Sequence, residues 1–279
     1  MKRIASIQDI SCLGRCSLTV ALPIISAMGV ECAIVPTAVL STHTMFQNFT
    51  CCDLSDQILP IARHWKDEQV QFDAIYTGYL ASAEQVGDVC AFFDLLGGEN
   101  TMIFVDPAMA DHGKLYPAFG PEFPAQMAKV AARADVVIPN ITEACLLTGV
   151  EYREQYDEGY IRDLLQRLVA LGAKRAVLTG VSFEEGKLGV MSYDGATGEY
   201  FTYFNEKMPA SFHGTGDIFS SVVMGGVMRG LSMEDALKLA VDYTLECIRV
   251  TTEDPNGTWY GVEFERAIPM LCERLKSAE

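Results

Sequence analysis

Residues 73–96 read DAIYTGYLASAEQVGDVCAFFDLL, and the apolar spacing changes partway through. Ala74, Ile75 and Tyr76 form a short β-prone run that stops at Gly78. From Ser82 onward, Val86, Val89, Cys90, Phe93 and Leu96 recur at helical intervals. A strand, a short turn and a helix in that order make one half of a βαβ unit.

The unit recurs in both directions along the chain. RIASIQ (3–8) precedes a helix expected near 17–28 and closed by Gly29. CAIVPTAVL (32–40) precedes a helix near 53–66. TMIFVDP (101–107) leads through a Gly/Pro-rich loop, 110–121, to a helix near 122–132. ADVVIPN (134–140) leads to a short helix from Thr142, and KRAVLTG (174–180) follows a helix over 158–171. KLGVMSY and GEYFTYF flank DGATG (194–198), the pattern of a hairpin. Helices over about 216–229, 232–250 and 263–276 finish the chain. This order predicts an α/β fold: a mostly parallel sheet, helices on both faces and an antiparallel edge hairpin. No Pro/Ser-rich linker or repeat divides it, so residues 1–279 read as a single domain.

With 49% hydrophobic and 21% charged residues, the composition is that of a water-soluble globular protein. The net charge of −16 argues against nucleic acid or an anionic membrane as the main partner. Nine scattered cysteines do not form a disulfide framework. The opening MKRIASIQDI runs straight into a strand pattern with no signal-peptide features, and no stretch is long and apolar enough for a membrane span. The expectation is a cytoplasmic protein with reduced thiols. The N-x-T matches at Asn48, Asn140 and Asn256 then carry no glycosylation.

In an open α/β sheet, ligands sit beyond the C-terminal ends of the strands. The residues there are Asp9–Ser11, Ser41–Thr44, Gly78–Tyr79, Asp106–Pro107, Asn140–Glu143 and Thr179–Gly180. GVSFEEGKL (180–188) has the wrong spacing for a P-loop, and Leu188 stands where a Ser or Thr is needed. Cys12 and Cys16 lack a second pair for zinc. HGTGD (213–217) is more informative. Gly214 and Gly216 free the backbone directly before an apolar helical run, whose first-turn N–H groups suit an anion. Asp217 there serves equally as a helix cap or as a general base beside a phosphoryl group. Asn140 or Thr142 reads as the cap of a helix start, and Glu143, like Asp106, as a carboxylate able to hold Mg2+ through water. His64 and His112 read as surface or loop residues, and His213 adjoins the anion-binding turn. EDPNGTWYG (253–261) is turn chemistry whose Trp259 and Tyr260 either pack a loop or close over a nucleotide.

Six stretches in this order resemble the ribokinase-like superfamily and, within it, the vitamin B6 kinase branch. They are STHTMF (41–46), TGYLASAEQ (77–85), FVDPAM (104–109), IPNITEACLLTG (138–149), VLTG (177–180) and GTGD (214–217). The resemblance implies ATP-dependent phosphorylation of the 5′-hydroxymethyl group of pyridoxal, pyridoxine or pyridoxamine. It makes Asp217 the base and Gly214, Thr215 and Gly216 the anion hole. It puts Asp106, Asn140 and Glu143 near Mg2+ and phosphate, and Thr179 near the nucleotide. His43, Thr44 and Tyr79 would face the pyridine ring, with Asp9 and Ser11 beside it. It further implies a lid at 110–121, a homodimer, and ATP and Mg2+ as cofactors, and is compatible with a monovalent cation.

One departure stands out. B6 kinases usually carry Gln-Ser-His after the first strand, whereas this chain reads Gln8-Asp9-Ile10, with Asp9 in the place of a ring-contacting serine. A carboxylate there suits a ring hydroxyl, a protonated ring nitrogen or an amine. The alternative on the same fold is hydroxymethylpyrimidine kinase of thiamine synthesis, a family that usually has a cysteine in the neighbourhood of Asp217. An alternative of another class is a non-catalytic pyridoxal phosphate binder, for which a base beside an anion hole has no use.

Overall fold

The structure, a computed structural model, describes residues 1–210 and 212–276. Nine strands form one sheet in the order β11-β10-β9-β8-β5-β4-β1-β2-β3. Six of them run parallel: β1 (Arg3–Leu13), β2 (Glu31–Thr42), β4 (Ala74–Thr77), β5 (Met102–Val105), β8 (Val136–Val137) and β9 (Arg175–Val181). The expected hairpin, β10 (Lys187–Asp194) and β11 (Tyr200–Glu206), pairs antiparallel and closes one edge.

Alternation of side chains sends one set of apolar residues to each face. Ala5, Ile7, Ile75 and Val105 pack under α2 (Ser55–Asp67), α3 (Ala83–Leu96), α4 (Phe123–Ala131), α5 (Ile141–Thr148) and α6 (Glu158–Leu171). Ile4, Tyr76, Phe104 and Val136 pack under α1 (Leu18–Ala27), α7 (Thr215–Met228), α8 (Met233–Glu253) and α9 (Phe264–Lys276). The parallel strands are therefore covered on both sides, as their near-continuous apolar runs require.

Two elements fall outside the sequence reading. β3 (Cys51–Asp53) pairs antiparallel with β2 at the other edge. Inside the expected lid loop, β6 (Ala110–Asp111) and β7 (Lys114–Leu115) form a small hairpin, turned by His112 and Gly113 at positive φ. The chain visits β1, then β2 on one side, and later β4 on the other side of β1. That reversal opens a crevice at the C-terminal ends of β1, β4 and β5.

Candidate active site

α7 starts at the mouth of this crevice. Its N-cap is Gly214, at φ 84. A Cβ there would fall 1.9 Å from the Arg15 carbonyl oxygen, so the close backbone approach admits glycine alone. Thr215, Gly216 and Asp217 form the first turn, and a Cβ on Gly216 would meet nothing within 4 Å. Unpaired helix N–H groups facing open space form a ready cradle for an anion. Asp217 does not cap its own helix, because α7 has no side-chain cap. Its carboxyl instead accepts the backbone N–H of Ser17, at the start of α1. Burial and the neighbouring Asp106 charge push it up to about 8, against the relief from that N–H.

Asp106 follows β5 and is buried. Its Oδ2 accepts the Ser220 hydroxyl at 2.9 Å, from the second turn of α7. Burial raises its pKa, offset in part by Ser220. Glu143 is buried on α5, and burial plus the Asp106 charge hold it well above the usual carboxylate range. Its Oε1 accepts Met109 N–H at 3.0 Å, and its Oε2 accepts Asn140 N–H at 2.9 Å. Asn140 Oδ1 accepts Glu143 N–H at 2.9 Å, which completes a capping box. Asn140 Nδ2 donates to Ala110 O at 2.8 Å. So the polar atoms of Asn140 and Glu143 are engaged with the backbone, and they tie α5 to the segment after β5. Thr179 lies beside them through a bridge to Asn140, with its N–H on Pro139 O at 3.1 Å.

The other wall belongs to β1 and β2. Asp9 is buried near the end of β1, and its Oδ2 accepts the Ser11 hydroxyl at 3.0 Å. His43 is buried just after β2. Its Nδ1 accepts Met45 N–H at 3.2 Å, and its Nε2 lies 2.8 Å from Tyr260 O. Both ring nitrogens are thus used within the protein, which leaves the ring itself rather than its nitrogens to meet a ligand. Thr44 is exposed on the following turn. Half-buried Tyr79 follows β4; burial and the Asp9 charge push its phenol up to about 12. Its ring lies 5.4 Å from that of Phe119, which stacks on Phe123 at 3.9 Å.

Several contributors were not singled out from sequence. Arg15, in the turn between β1 and α1, donates to Thr258 Oγ1 at 2.5 Å and to Glu265 at 3.2 Å. It therefore joins that turn to the 254–261 segment. Phe46 lies 4.9 Å from His43 and 4.6 Å from Trp259, and His213 lies 4.8 Å from His43. Trp259 and Tyr260 thus pack over the His43 end. Burial, with His43 close by, pushes His213 down to about 4. Arg15 and Phe46 carry no periodic signal in the sequence, since each acts through a contact far along the chain.

The Asp106 charge raises the pKa of both Glu143 and Asp217, so a cation beside Asp106 would relieve both. Among the described residues, no cluster of three or more His, Cys, Asp or Glu side chains is close enough to hold a metal alone. Mg2+, which keeps waters and takes phosphate oxygens, fits such a sparse, all-oxygen donor set.

The family model of phosphomethylpyrimidine kinase matches residues 21–261. The chain belongs to that family. A provisionally named phosphomethylpyrimidine kinase from Bacteroides thetaiotaomicron, solved with pyridoxal, is similar at 36% identity and a TM-score of 0.92, over 97% of this chain and 95% of that one. The pyridoxal kinase of Lactobacillus plantarum is similar at 28% identity and a TM-score of 0.89, over 99% of each chain. The pyridoxal kinase of Arabidopsis thaliana is 27% identical, over 92% of this chain and 85% of its own. The chain is a kinase of the ribokinase-like superfamily, as its motifs indicated.

Proposed function

We propose that this kinase transfers the γ-phosphoryl group of ATP to the 5′-hydroxymethyl group of a vitamin B6 vitamer. The observation that carries this reading is Asp217, on the first turn of α7 beside open space over Gly216. In such a place one carboxylate takes the proton of the attacking hydroxyl, while the helix N-terminus meets the charge that builds on the phosphoryl oxygens. Gly214 fixes the turn, and Thr215 and Gly216 present the backbone. Asp106 and, through water, Glu143 would hold Mg2+, which supplies charge neutralisation on the phosphates when bound. Ser220 holds Asp106 in place. Asp9, Ser11, the His43 ring and Tyr79 receive the pyridine. Thr179 stands on the nucleotide side. The 110–121 segment, with Phe119 against Tyr79, closes over the site and excludes water. The pyridoxal present in the similar Bacteroides thetaiotaomicron structure supports this substrate class.

The test is ADP release with Mg·ATP against pyridoxal, pyridoxine, pyridoxamine and hydroxymethylpyrimidine, run beside Asp217→Asn. Turnover of a B6 vitamer is expected, falling by roughly a hundredfold to ten-thousandfold in the variant. The description of the matching family keeps hydroxymethylpyrimidine as the second reading. Turnover of the pyrimidine alone would establish that reading instead.

A further inference from the structure

Asp9 lies where the pairing of β1 with β2 shifts. Gln8 is opposite Pro36 and Ile10 is opposite Val39, so Asp9 alone stands against Thr37 and Ala38. Irregularities of this kind re-aim a side chain beside a site. The residue is only 5% exposed, yet it carries a carboxylate. The hydroxyls of Ser11 and Ser17 donate to it. Burial nevertheless raises its pKa against these donors, so an arriving cation is what would favour its ionised form.

The titratable groups around it do not supply one. They are His43, Tyr79, Cys16, Cys51 and Asp217. His43 accepts Met45 N–H on Nδ1, so the proton of its neutral ring sits on Nε2 and goes to Tyr260 O. Tyr79, the two cysteines and Asp217 carry no positive charge in any state. Arg15, in the turn beyond β1, is engaged by Glu265 and Thr258. Among the described residues around Asp9, the ligand end of the crevice therefore offers acids and no side-chain cation.

Resting on the B6 reading above, we propose that Asp9 is a charge-selecting residue that accepts the aminomethyl ammonium of pyridoxamine. In that vitamer the aminomethyl group sits on the ring carbon next to the one bearing the reacting hydroxymethyl. The ring nitrogen lies two ring positions from the hydroxymethyl-bearing carbon, on its other side, and is fixed in the ring, whereas the aminomethyl group can swing toward the reacting hydroxyl. Asp9 is near enough to Asp217 to raise its pKa, so with the hydroxyl at Asp217 the ammonium is the nitrogen placed to meet Asp9.

The experiment is kcat/KM for pyridoxamine and pyridoxine at saturating Mg·ATP, in the wild type, Asp9→Asn and Asp9→Ser. The wild type is expected to favour pyridoxamine. The pyridoxamine-to-pyridoxine ratio is expected to fall roughly tenfold or more in Asp9→Asn, mainly through the pyridoxamine KM. Thermal melts identify a variant that fails to fold, and Asp9→Ser then gives the ratio. Should neither fold, the wild-type ranking alone decides. A wild type that prefers pyridoxine, or a ratio unchanged in a folded variant, overturns the role of Asp9 and leaves the B6 reading standing. A wild type that phosphorylates no B6 vitamer overturns both.

Discussion

Gly214 and Gly216, two positions apart, are glycines for different reasons. At Gly214 the backbone is left-handed, and the Arg15 carbonyl oxygen occupies the place of a side chain. Gly214→Ala is expected to destabilise the protein by at least about 2 kcal/mol, through strain and clash together. Gly216 has ordinary φ and open space above it. Gly216→Ala is expected to leave stability unchanged or raise it by up to about 1 kcal/mol, since alanine is the better helix residue. The new methyl group would nevertheless stand where the phosphoryl group is proposed to lie, and kcat/KM for Mg·ATP should fall. Urea unfolding and ATP kinetics on both variants separate the two roles. A Gly216→Ala enzyme with full activity would move the phosphoryl cradle elsewhere.

At the scale of elements, α5 acts as an anchor. Its capping box faces outward as well as inward, because Glu143 also receives Met109 N–H and Asn140 also holds Ala110 O. Asn140→Ala is expected to lose about 1–2 kcal/mol in denaturant unfolding. Hydrogen exchange at Met109 and Ala110 should quicken with it. Asn140→Ser keeps the cap and loses the Ala110 tie, so it should recover stability while exchange stays fast. Equal stability in Asn140→Ala and the wild type would remove the anchor role. The cap at Asn140 was legible in NITEA, since an Asn three residues before a Glu marks a helix start. Its second job was not, because the partner loop lies some thirty residues away and nothing local marks it. The same holds for β3: Cys51-Cys52-Asp53 is exposed and without alternation, and only β2 beside it makes it a strand. The long parallel strands, both faces buried, and the amphipathic helices were readable, because each satisfies its own period. Asp106 and Asp217 were readable as strand-end and helix-start acids. Arg15, Phe46 and Phe119 were not, since their partners come from distant turns.

Across the whole molecule, the crevice concentrates carboxylates in a chain that already carries a net charge of −16. Burial raises Asp9, Asp106, Glu143 and Asp217 together, the last up to about 8. A carboxyl whose folded pKa lies above its unfolded value binds its proton more tightly when folded. Its contribution to stability is complete below the unfolded value of 3.8 and is lost as pH rises to about 8 for Asp217. Surface acids such as Asp73, lowered first by its hydrogen bond from Lys2, work in the opposite direction, but only as pH falls toward the ordinary carboxylate range. The ligand-free protein should therefore unfold at higher denaturant concentration at pH 5.5 than at pH 8.5. Asp217→Asn removes one of the titrations that act in that window, so its midpoint should change less between the two pH values. At pH 8.5 the variant should be more stable than the wild type, while its kinase activity is lost. Mg2+ with nucleotide should narrow the wild-type difference by supplying the missing positive charge. A wild-type midpoint as high at pH 8.5 as at pH 5.5 would show that the crevice carboxylates are not held protonated. Asp217 would then be an ordinary, already ionised acid rather than a base kept in reserve until substrate and metal arrive.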